Sequence, residues 1–210
     1  MTYDPKIWRL CLVTDRGLSR GRSLVDVVSA AVQGGVTMVQ LREKDASTRE
    51  FLAEAVALKT LLKPLGVPLI INDRVDIAQA IDADGVHVGQ TDMPVEIVRQ
   101  LIGPDKIIGL SITNRTQIER DDAKRTDYLG IGPLYLQTTK ANASTPLGVE
   151  GFRALRALSF KPVMAIGGLN ATNSAAVLEA GADGLAIVSA IVGADDSRAA
   201  AAAVAKLFTP

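Results

Sequence analysis

The sequence predicts an α/β fold in which eight parallel β-strands, each followed by a helix, close into a (β/α)8 barrel. Three observations predict it: the strand candidates are short and rich in branched apolar residues, they are apolar on both faces, and helix-period segments separate them from end to end. Strands that are apolar on both faces are typical of parallel sheets covered by helices. The predicted strands are Leu10–Val13, Met38–Leu41, Leu69–Ile71, Gly85–Val88, Ile107–Leu110, Tyr128–Ile131, Val163–Ile166 and Leu185–Val188.

The segments between these strands carry apolar residues three and four positions apart, which places them on one face of a helix. Phe51, Ala55, Leu58 and Leu62 show this spacing. The predicted helices are Ser23–Gln33, Thr48–Lys63, Val75–Ile81, Pro94–Leu101, Arg115–Lys124, Val149–Leu158 and Thr172–Ala180, with a last Ala-rich helix that begins near Asp195-Asp196-Ser197 and ends near Lys206.

No linker, low-complexity tract or block of charge divides the 210 residues. Residues 1–210 are therefore predicted to form a single TIM-barrel domain. The alternative is an open, doubly wound sheet, but the regular count of strand-helix units favours the closed barrel. Ala-Asp-Gly at 83–85 recurs at 182–184, which is a weak sign of a duplicated half-barrel.

Composition excludes several classes of function. Lys plus Arg equals Asp plus Glu at 23 each, which argues against binding nucleic acid through a basic surface. No stretch approaches the roughly 20 apolar residues of a membrane helix, and the polar N-terminus lacks a secretory pattern. With Cys11 as its only cysteine, expected to be a buried thiol in a reducing compartment, the chain is expected to be cytoplasmic.

The only histidine, His87, limits the chemistry further. A zinc site built from several histidines is excluded, and a Ser-His-Asp triad would have to use this residue. Its place in Val86-His87-Val88 predicts a packed, hydrogen-bonded histidine of the barrel rather than a general base.

Unusual polar residues follow the C-terminal ends of the predicted strands, where active sites of TIM barrels lie. The strand beginnings instead carry turn residues such as Gly66 and Pro68. This difference between the two ends predicts an active site at the C-terminal mouth. The polar segments are Gln40–Lys44, Asn72–Arg74, Gln90–Asp92, Ser111, Gln137–Lys140, Gly167–Gly168 and Ser189.

Gln40, Arg42 and Lys44 alternate, so in an extended segment all three point to one side. At a barrel mouth this side faces the cavity, where an Arg fork and a Lys charge suit a ligand with several phosphate oxygens. The alternative is a solvated loop in which the nearby acidic residues Glu43, Asp45 and Glu50 pair with the two cations.

Asp73 and Asp92 follow the adjacent predicted strands 3 and 4, which lie about 5 Å apart in a sheet. Two carboxylates this close repel unless a proton or cation lies between them, and Mg²⁺ bridging them to substrate phosphates is one solution. For either residue alone, capping the N-terminus of the following helix is the alternative. The pair, beside Arg42 and Lys44, favours the metal.

A second anion site is predicted after strands 7 and 8, where barrels often bind phosphate with loop N–H groups and a helix start. Gly167-Gly168 and Val188-Ser189 occupy these places. The long loop from Gly132 to Gly148 carries Thr138, Thr139 and Lys140 and is typical of an anion-gripping lid. The residues alone therefore predict a site for two phosphorylated substrates.

A series of motifs spans nearly the whole chain in order: Leu12–Asp15, Val39–Lys44, Ile71–Asp76, Gly85–Gln90, Gly130–Pro133, Thr139-Lys140, Ala165–Gly168, Ala182–Gly184 and Val188–Ile191. Together they resemble the thiamine phosphate synthase family. That family joins hydroxymethylpyrimidine diphosphate to a thiazole phosphate and releases pyrophosphate. The resemblance implies a transferase of thiamine biosynthesis with Mg²⁺ as cofactor.

The resemblance also implies roles for individual residues. Asp73 and Asp92 would hold Mg²⁺ on the pyrophosphate. The pyrimidine diphosphate would meet Gln40, Arg42, Lys44, Asn72, Lys140 and nearby Ser111, and the thiazole phosphate would meet Thr138, Thr139, Gly168, Val188 and Ser189. Arg42, Lys44, Ser111 and Lys140 would be the catalytic group. The implied reaction is dissociative, with pyrophosphate leaving first, and it needs no histidine base.

Two positions depart from the family pattern. Tyr135-Leu136-Gln137 stands where the family usually has Phe-Pro-Thr, which concerns the thiazole side. Thr113 stands where many relatives carry a histidine, and the related thiazole tautomerases use a histidine in that region for proton transfer. Thr113 together with the retained Asp73 and Asp92 therefore favours the synthase. The alternatives are such a tautomerase, another phosphate-binding barrel isomerase like those of tryptophan biosynthesis, and a non-catalytic phosphate sensor. A homo-oligomer is compatible with the sequence.

Overall fold

The structure, a computed structural model, describes residues 3–136 and 145–208. Eight parallel strands pair in sequence order and β1 closes on β8, which confirms the predicted (β/α)8 TIM barrel. The strands are β1 Leu10–Val13, β2 Met38–Leu41, β3 Leu69–Asn72, β4 Gly85–Val88, β5 Ile107–Ile112, β6 Tyr128–Ile131, β7 Val163–Ile166 and β8 Gly184–Ile187.

Helices cover the outside of this barrel. None of those in the described part of the chain is long and apolar enough to cross a bilayer. The α-helices are α1 Leu24–Gln33, α2 Thr48–Leu62, α3 Val75–Ala80, α4 Val95–Ile102, α5 Arg115–Ile118, α6 Asp121–Lys124, α7 Gly148–Arg156, α8 Ala175–Glu179, α9 Ser189–Val192 and α10 Ser197–Ala205.

Three strands differ from their predicted bounds. Strand β3 includes Asn72 and β5 extends to Ile112, because Asn72 keeps its register with His87 and Ser111 keeps its register with Gly130. Strand β8 lies one residue earlier than predicted, at Gly184–Ile187. Pairing uses the backbone, so polar side chains at the mouth do not end a strand.

Two predicted helices were wrong in detail. The single helix predicted over Arg115–Lys124 is two short helices, α5 and α6, because the backbone of Arg120 between them is extended. The helix predicted from Thr172 begins only at Ala175. The Asn170 carboxamide oxygen accepts the backbone N–H of Thr172 at 2.8 Å, and this local turn replaces the first helical turn.

Alternate residues of the strands point into the barrel and form its inner core. The buried inner cluster comprises Trp8, Cys11, Val13, Met38, Ile70, Ile107, Tyr128, Met164 and Ala186. Gln40 lies two residues after Met38 on β2, and Asn72 lies two residues after Ile70 on β3. The period of two therefore puts these polar residues on the inner face, directly above the apolar core.

Three aspartates connect neighbouring strands at the bottom of the barrel. Each aspartate directly precedes an even-numbered strand, and its carboxylate accepts a backbone N–H of the preceding odd-numbered strand at 2.8 Å. The same carboxylate pairs with a cation on the helix that leads into this odd-numbered strand. Their own backbone N–H groups donate to the same three residues. The sets are Asp84 with Leu69 and Lys59, Asp127 with Ile108 and Arg99, and Asp183 with Val163 and Arg156.

Thr37 has the same role before β2. Its hydroxyl oxygen accepts the backbone N–H of Leu10, the first residue of β1, at 3.0 Å. The arrangement therefore recurs at every second strand around the barrel. The Ala-Asp-Gly repeat at 83–85 and 182–184 marks two of these positions, so a backbone-binding carboxylate explains it.

Replacing Asp127 tests how much these contacts stabilise the barrel. Asp127→Ala leaves the N–H of Ile108 and the guanidinium of Arg99 without this carboxylate, and we expect the free energy of unfolding to fall by about 1–3 kcal/mol. Urea unfolding measures the difference. Asp121→Ala, which removes an exposed ion pair with Lys124, is the control and should leave the midpoint nearly unchanged. Equal losses in the two variants would contradict the role of Asp127.

Candidate active site

The inner polar residues and the loops after the strands meet at the C-terminal mouth. Gln40 and Asn72 are buried on β2 and β3, and Ser111 is half-buried on β5. The loops above them carry the charged residues. The structure thus brings the predicted pyrimidine-side residues that it describes, Gln40, Arg42, Lys44, Asn72 and Ser111, to one end of the barrel, and their roles stay predictions.

Two cations of the loop after β2 face this mouth. The backbone N–H of Arg42 donates to the buried Thr14 hydroxyl at 2.9 Å, and the Arg42 guanidinium lies 3.9 Å from the Asp15 carboxylate. The Lys44 ammonium donates to the Asp73 carboxylate at 2.5 Å. Each of the two cations therefore lies beside a different carboxylate.

The nearby acidic residues Glu43 and Glu50 contact residues other than these two cations. The carboxylate of Glu43 is buried and pairs with Arg16 at 3.1 Å, and Arg16 also binds Glu54 at 2.9 Å. Burial raises the pKa of Glu43, and Arg16 opposes the shift. Glu50 accepts from both the backbone N–H and the hydroxyl of Ser47 in a capping box at the start of α2. Glu43 and Glu50 therefore pair with groups other than Arg42 and Lys44.

Asp73 and Asp92 are adjacent at the mouth. Asp73 has a left-handed backbone with φ of 63°, which turns the chain sharply after β3. One Asp92 oxygen accepts the N–H of Gly89 at 2.7 Å. The pKa of Asp92 is raised, first by partial burial of its carboxyl and then by a hydrogen bond and repulsion from Asp73, while Gly89 and Lys44 oppose the shift.

Neither aspartate caps a helix. The N-cap positions of α3 and α4 are Arg74 and Pro94, and neither helix start has a side-chain capping bond. The capping interpretation is therefore wrong for both residues. What remains is a pair of close carboxylates beside a lysine, which is an arrangement that favours binding of a cation.

This pair fits Mg²⁺ that is also bound by a substrate. Within residues 3–136 and 145–208, no group of three or more His, Cys, Asp or Glu side chains could hold a metal ion. Mg²⁺ is usually bound through one or two carboxylates together with substrate phosphates, not by a cage of protein ligands. The donor set of Asp73 and Asp92 is of that kind.

The second predicted anion site follows β7 and β8. Gly168 has φ of 67°, and a Cβ there would lie 2.8 Å from the Cβ of Tyr135, so the close approach of the two loops needs glycine. Ser189 is exposed and begins α9, and Val188 precedes it. Gln137, Thr138, Thr139 and Lys140 lie outside the described residues.

Asp15, which lies beside Arg42, was missed in the sequence as a residue of the mouth. Gln90 was predicted there without a role, and its amide donates to the Ser111 carbonyl at 2.7 Å. His87 is buried and hydrogen-bonded, as predicted, to Tyr128 and to Ser111. Gly109 and Gly130 lie inside β5 and β6, next to the rings of His87 and Tyr128. They were the feature of the sequence that could have indicated this contact, because glycine in a strand often marks a close approach of another group.

Comparison with known proteins identifies the family. A sequence model described as thiamine monophosphate synthase matches residues 10–191. The chain belongs to this family. A family member, the thiamine-phosphate synthase of Chloroflexus aurantiacus, is 55% identical over 194 residues, which are 92% of this chain and 89% of the relative. That of Albidiferax ferrireducens is 51% identical over 200 residues, 95% and 91% of the two chains.

A solved structure gives the same result. The thiamine phosphate pyrophosphorylase of Pyrococcus furiosus superposes with a TM-score of 0.87 at 36% identity, covering 97% of this chain and 96% of that one. A 3-hexulose-6-phosphate synthase superposes with a TM-score of 0.67 at 16% identity over 96% of this chain and 100% of its own. At that identity the second match shows the fold alone.

The carboxylate pair makes a prediction about stability. Because the pKa of Asp92 is raised in the folded protein, ionising its carboxyl costs stability, and this cost grows as the pH rises through the folded pKa. Asp92→Asn removes the charge and keeps an oxygen for the Gly89 N–H. We expect its melting temperature, without metal, to exceed that of the wild type at neutral pH and the difference to vanish as the pH falls.

Thermal unfolding across this pH range measures the effect. Asp121→Asn is the control, because Lys124 lowers the pKa of Asp121 and its charge should not destabilise the fold. A pH-independent difference for Asp92→Asn would contradict repulsion between the two carboxylates.

Proposed function

We propose that the chain forms thiamine phosphate from hydroxymethylpyrimidine diphosphate and a thiazole phosphate, and releases pyrophosphate. The observation that carries the proposal is the Asp73–Asp92 pair beside Lys44, with Arg42 on the same loop after β2, since together they offer a cation site and two cations for one diphosphate. Membership of the synthase family and the names of its relatives support it. The activity belongs to the transferases.

The diphosphate would lie over the loops after β2, β3 and β4. The Arg42 guanidinium can bind two phosphate oxygens as a fork, and Lys44 can bind as a point charge. Gln40 and Asn72 lie deeper, on the inner face of the barrel, and would bind the pyrimidine ring. Charged groups above and uncharged hydrogen-bonding groups below match a substrate with a diphosphate at one end.

The residues of this mouth would assist departure of the leaving group. The bond from the pyrimidine methylene carbon to oxygen breaks with its electron pair going to pyrophosphate, and the thiazole nitrogen lone pair then forms the new carbon–nitrogen bond. Arg42, Lys44 and Lys140 would stabilise the charge that develops on the leaving oxygens. Mg²⁺ held by Asp73 and Asp92 would supply further neutralisation of that charge.

The thiazole phosphate would occupy the other half of the mouth. Gly168 follows β7, and Val188 and Ser189 follow β8. Thr138 and Thr139 belong to the proposal from the family resemblance alone. Holding the two substrates in contact would account for much of the rate, because a bimolecular step becomes effectively unimolecular.

Thr113 supports the synthase over the related tautomerase. Its hydroxyl donates to the Gln117 carboxamide oxygen at 3.0 Å, and its backbone N–H donates to the same oxygen at 2.7 Å. A threonine held this way has no group that titrates near neutral pH, so it cannot replace a histidine in proton transfer.

A cytoplasmic location forms part of the proposal. Cys11 is buried and free, and burial raises the pKa of its thiol to about 12. A buried protonated thiol of this kind fits a reducing compartment, where the small phosphorylated substrates would also be found.

Release of pyrophosphate tests the function. Pure protein with both substrates should release pyrophosphate and form thiamine phosphate in equal amounts, and chelation of Mg²⁺ should stop both. Omission of the thiazole phosphate should abolish thiamine phosphate. Turnover with a chelator present and no diphosphate would instead indicate an isomerase, and tight binding of both ligands without any product would indicate a sensor.

Asp92→Asn tests the metal site. We expect kcat/KM to fall about a hundredfold or more, the scale on which removal of one electrostatic stabiliser acts, and the Mg²⁺ concentration for half-maximal activity to rise. Steady-state kinetics at varied Mg²⁺ measures both. Asp121→Asn should behave as the wild type, and normal turnover of Asp92→Asn would remove Asp92 from the metal site.

A further inference from the structure

Three side chains on neighbouring strands form a hydrogen-bonded line from the barrel interior to the mouth. Tyr128 on β6 lies with its hydroxyl 2.8 Å from Nδ1 of His87 on β4, and Nε2 of His87 lies 2.9 Å from the hydroxyl of Ser111 on β5. Gln40 also hydrogen-bonds the Tyr128 hydroxyl. Two of these residues, Gln40 and Ser111, were assigned to substrate, whereas Tyr128 and His87 were not.

The barrel leaves room for this line at two glycines. A Cβ at Gly109 would lie 2.2 Å from the Tyr128 ring and 2.4 Å from Nδ1 of His87. A Cβ at Gly130 would lie 3.1 Å from Cε1 of His87. Both strands thus omit a side chain where the two rings meet, so the contact is built into the inner wall of the barrel.

The direction of the hydrogen bonds follows from the chemistry of the phenol. Tyr128 is fully buried, and burial raises the pKa of its hydroxyl well above the ordinary value, so the group keeps its single proton. Gln40 lowers that pKa, and its carboxamide N–H can donate to the phenol oxygen. With Gln40 as that donor, the phenol proton is available to His87.

We propose that Tyr128 acts through His87 to make Ser111 a hydrogen-bond donor toward the mouth. With Nδ1 accepting from Tyr128, the neutral imidazole carries its hydrogen on Nε2 and donates it to the Ser111 oxygen. The Ser111 hydrogen is thereby directed away from His87. Tyr128 and His87 are positioning residues in this proposal, because they act on the substrate only through Ser111.

A fixed donor at Ser111 selects for a substrate that presents an acceptor there. Resting on the proposed function, the acceptor is a ring nitrogen of the pyrimidine, and an analogue with a ring C–H at that place would leave the hydroxyl unpaired. The Ser111 backbone is itself held, since its carbonyl accepts from Gln90. The hydrogen bonds from Tyr128 through His87 therefore restrict the rotation of the Ser111 hydroxyl group.

The tautomer of His87 can be measured directly, because the chain has one histidine. ¹⁵N NMR of labelled free protein, at a pH above the usual titration range of histidine, distinguishes a protonated from an unprotonated ring nitrogen. We expect hydrogen on Nε2 alone. Hydrogen on Nδ1, or on both nitrogens, would overturn the proposal, and this measurement does not depend on the activity of the protein.

Tyr128→Phe tests the action through Ser111. The variant should populate the other tautomer of His87, and the KM for the pyrimidine diphosphate should rise about three- to tenfold, as for loss of one uncharged hydrogen bond. The KM for the thiazole phosphate should stay unchanged. Tyr3→Phe is the matched control, since Tyr3 also packs on Trp8 and its hydroxyl donates to Asp105, outside the line.

The double variant separates positioning from general damage. If Tyr128 acts through Ser111, the double variant of Tyr128→Phe and Ser111→Ala should have the KM of Ser111→Ala alone. Multiplied effects, or a rise in both substrate KM values, would overturn the proposal. If the wild type itself forms no thiamine phosphate, the proposed function fails while the His87 tautomer still decides the hydrogen-bond direction.

Discussion

The closed barrel depends on how its strands are tied together at the bottom. At Asp84, Asp127 and Asp183 a carboxylate joins the backbone of one strand to the start of the next and to a cation on an outer helix. Each aspartate thus connects three elements that are distant in sequence. Because a charged group binds the backbone, these hydrogen bonds are stronger than ordinary ladder bonds. They fix the relative height of the strands, and the height of the strands decides which side chains meet at the opposite end.

At the C-terminal mouth, the two-residue period of the strands determines which side chains face the inside of the barrel. Inward residues alternate, so an apolar layer of Met38 and Ile70 is followed two residues later by Gln40 and Asn72. The charged residues come one step further, on loops where water and ligand can reach them. A gradient from apolar floor to uncharged polar wall to charged rim therefore follows from strand geometry.

Sequence reasoning succeeded where a pattern has one structural solution. The eight apolar runs predicted the barrel, and the polar residues after them predicted which side chains lie at its C-terminal mouth, because strand period and strand direction determine both. It failed where the outcome depends on contacts between distant residues. Nothing local in Asp73 shows a left-handed backbone, and nothing in Glu43 shows that it pairs with Arg16 and not with its neighbours. Helix ends were missed for the same reason, as at Asn170, whose carboxamide competes with the first helical turn.

The contact between Lys44 and Asp73 has a consequence for how the mouth is filled. In the free protein the lysine ammonium serves as an internal counter-ion for the carboxylate that would bind the metal. A divalent cation arriving alone must displace this ammonium, and a diphosphate arriving alone must draw it away from Asp73. In the proposed complex the metal would take the carboxylate and the phosphate would take the lysine, so every charge would keep a partner. Such an exchange of partners would make the two ligands bind cooperatively, because each removes the cost of separating Lys44 from Asp73 for the other.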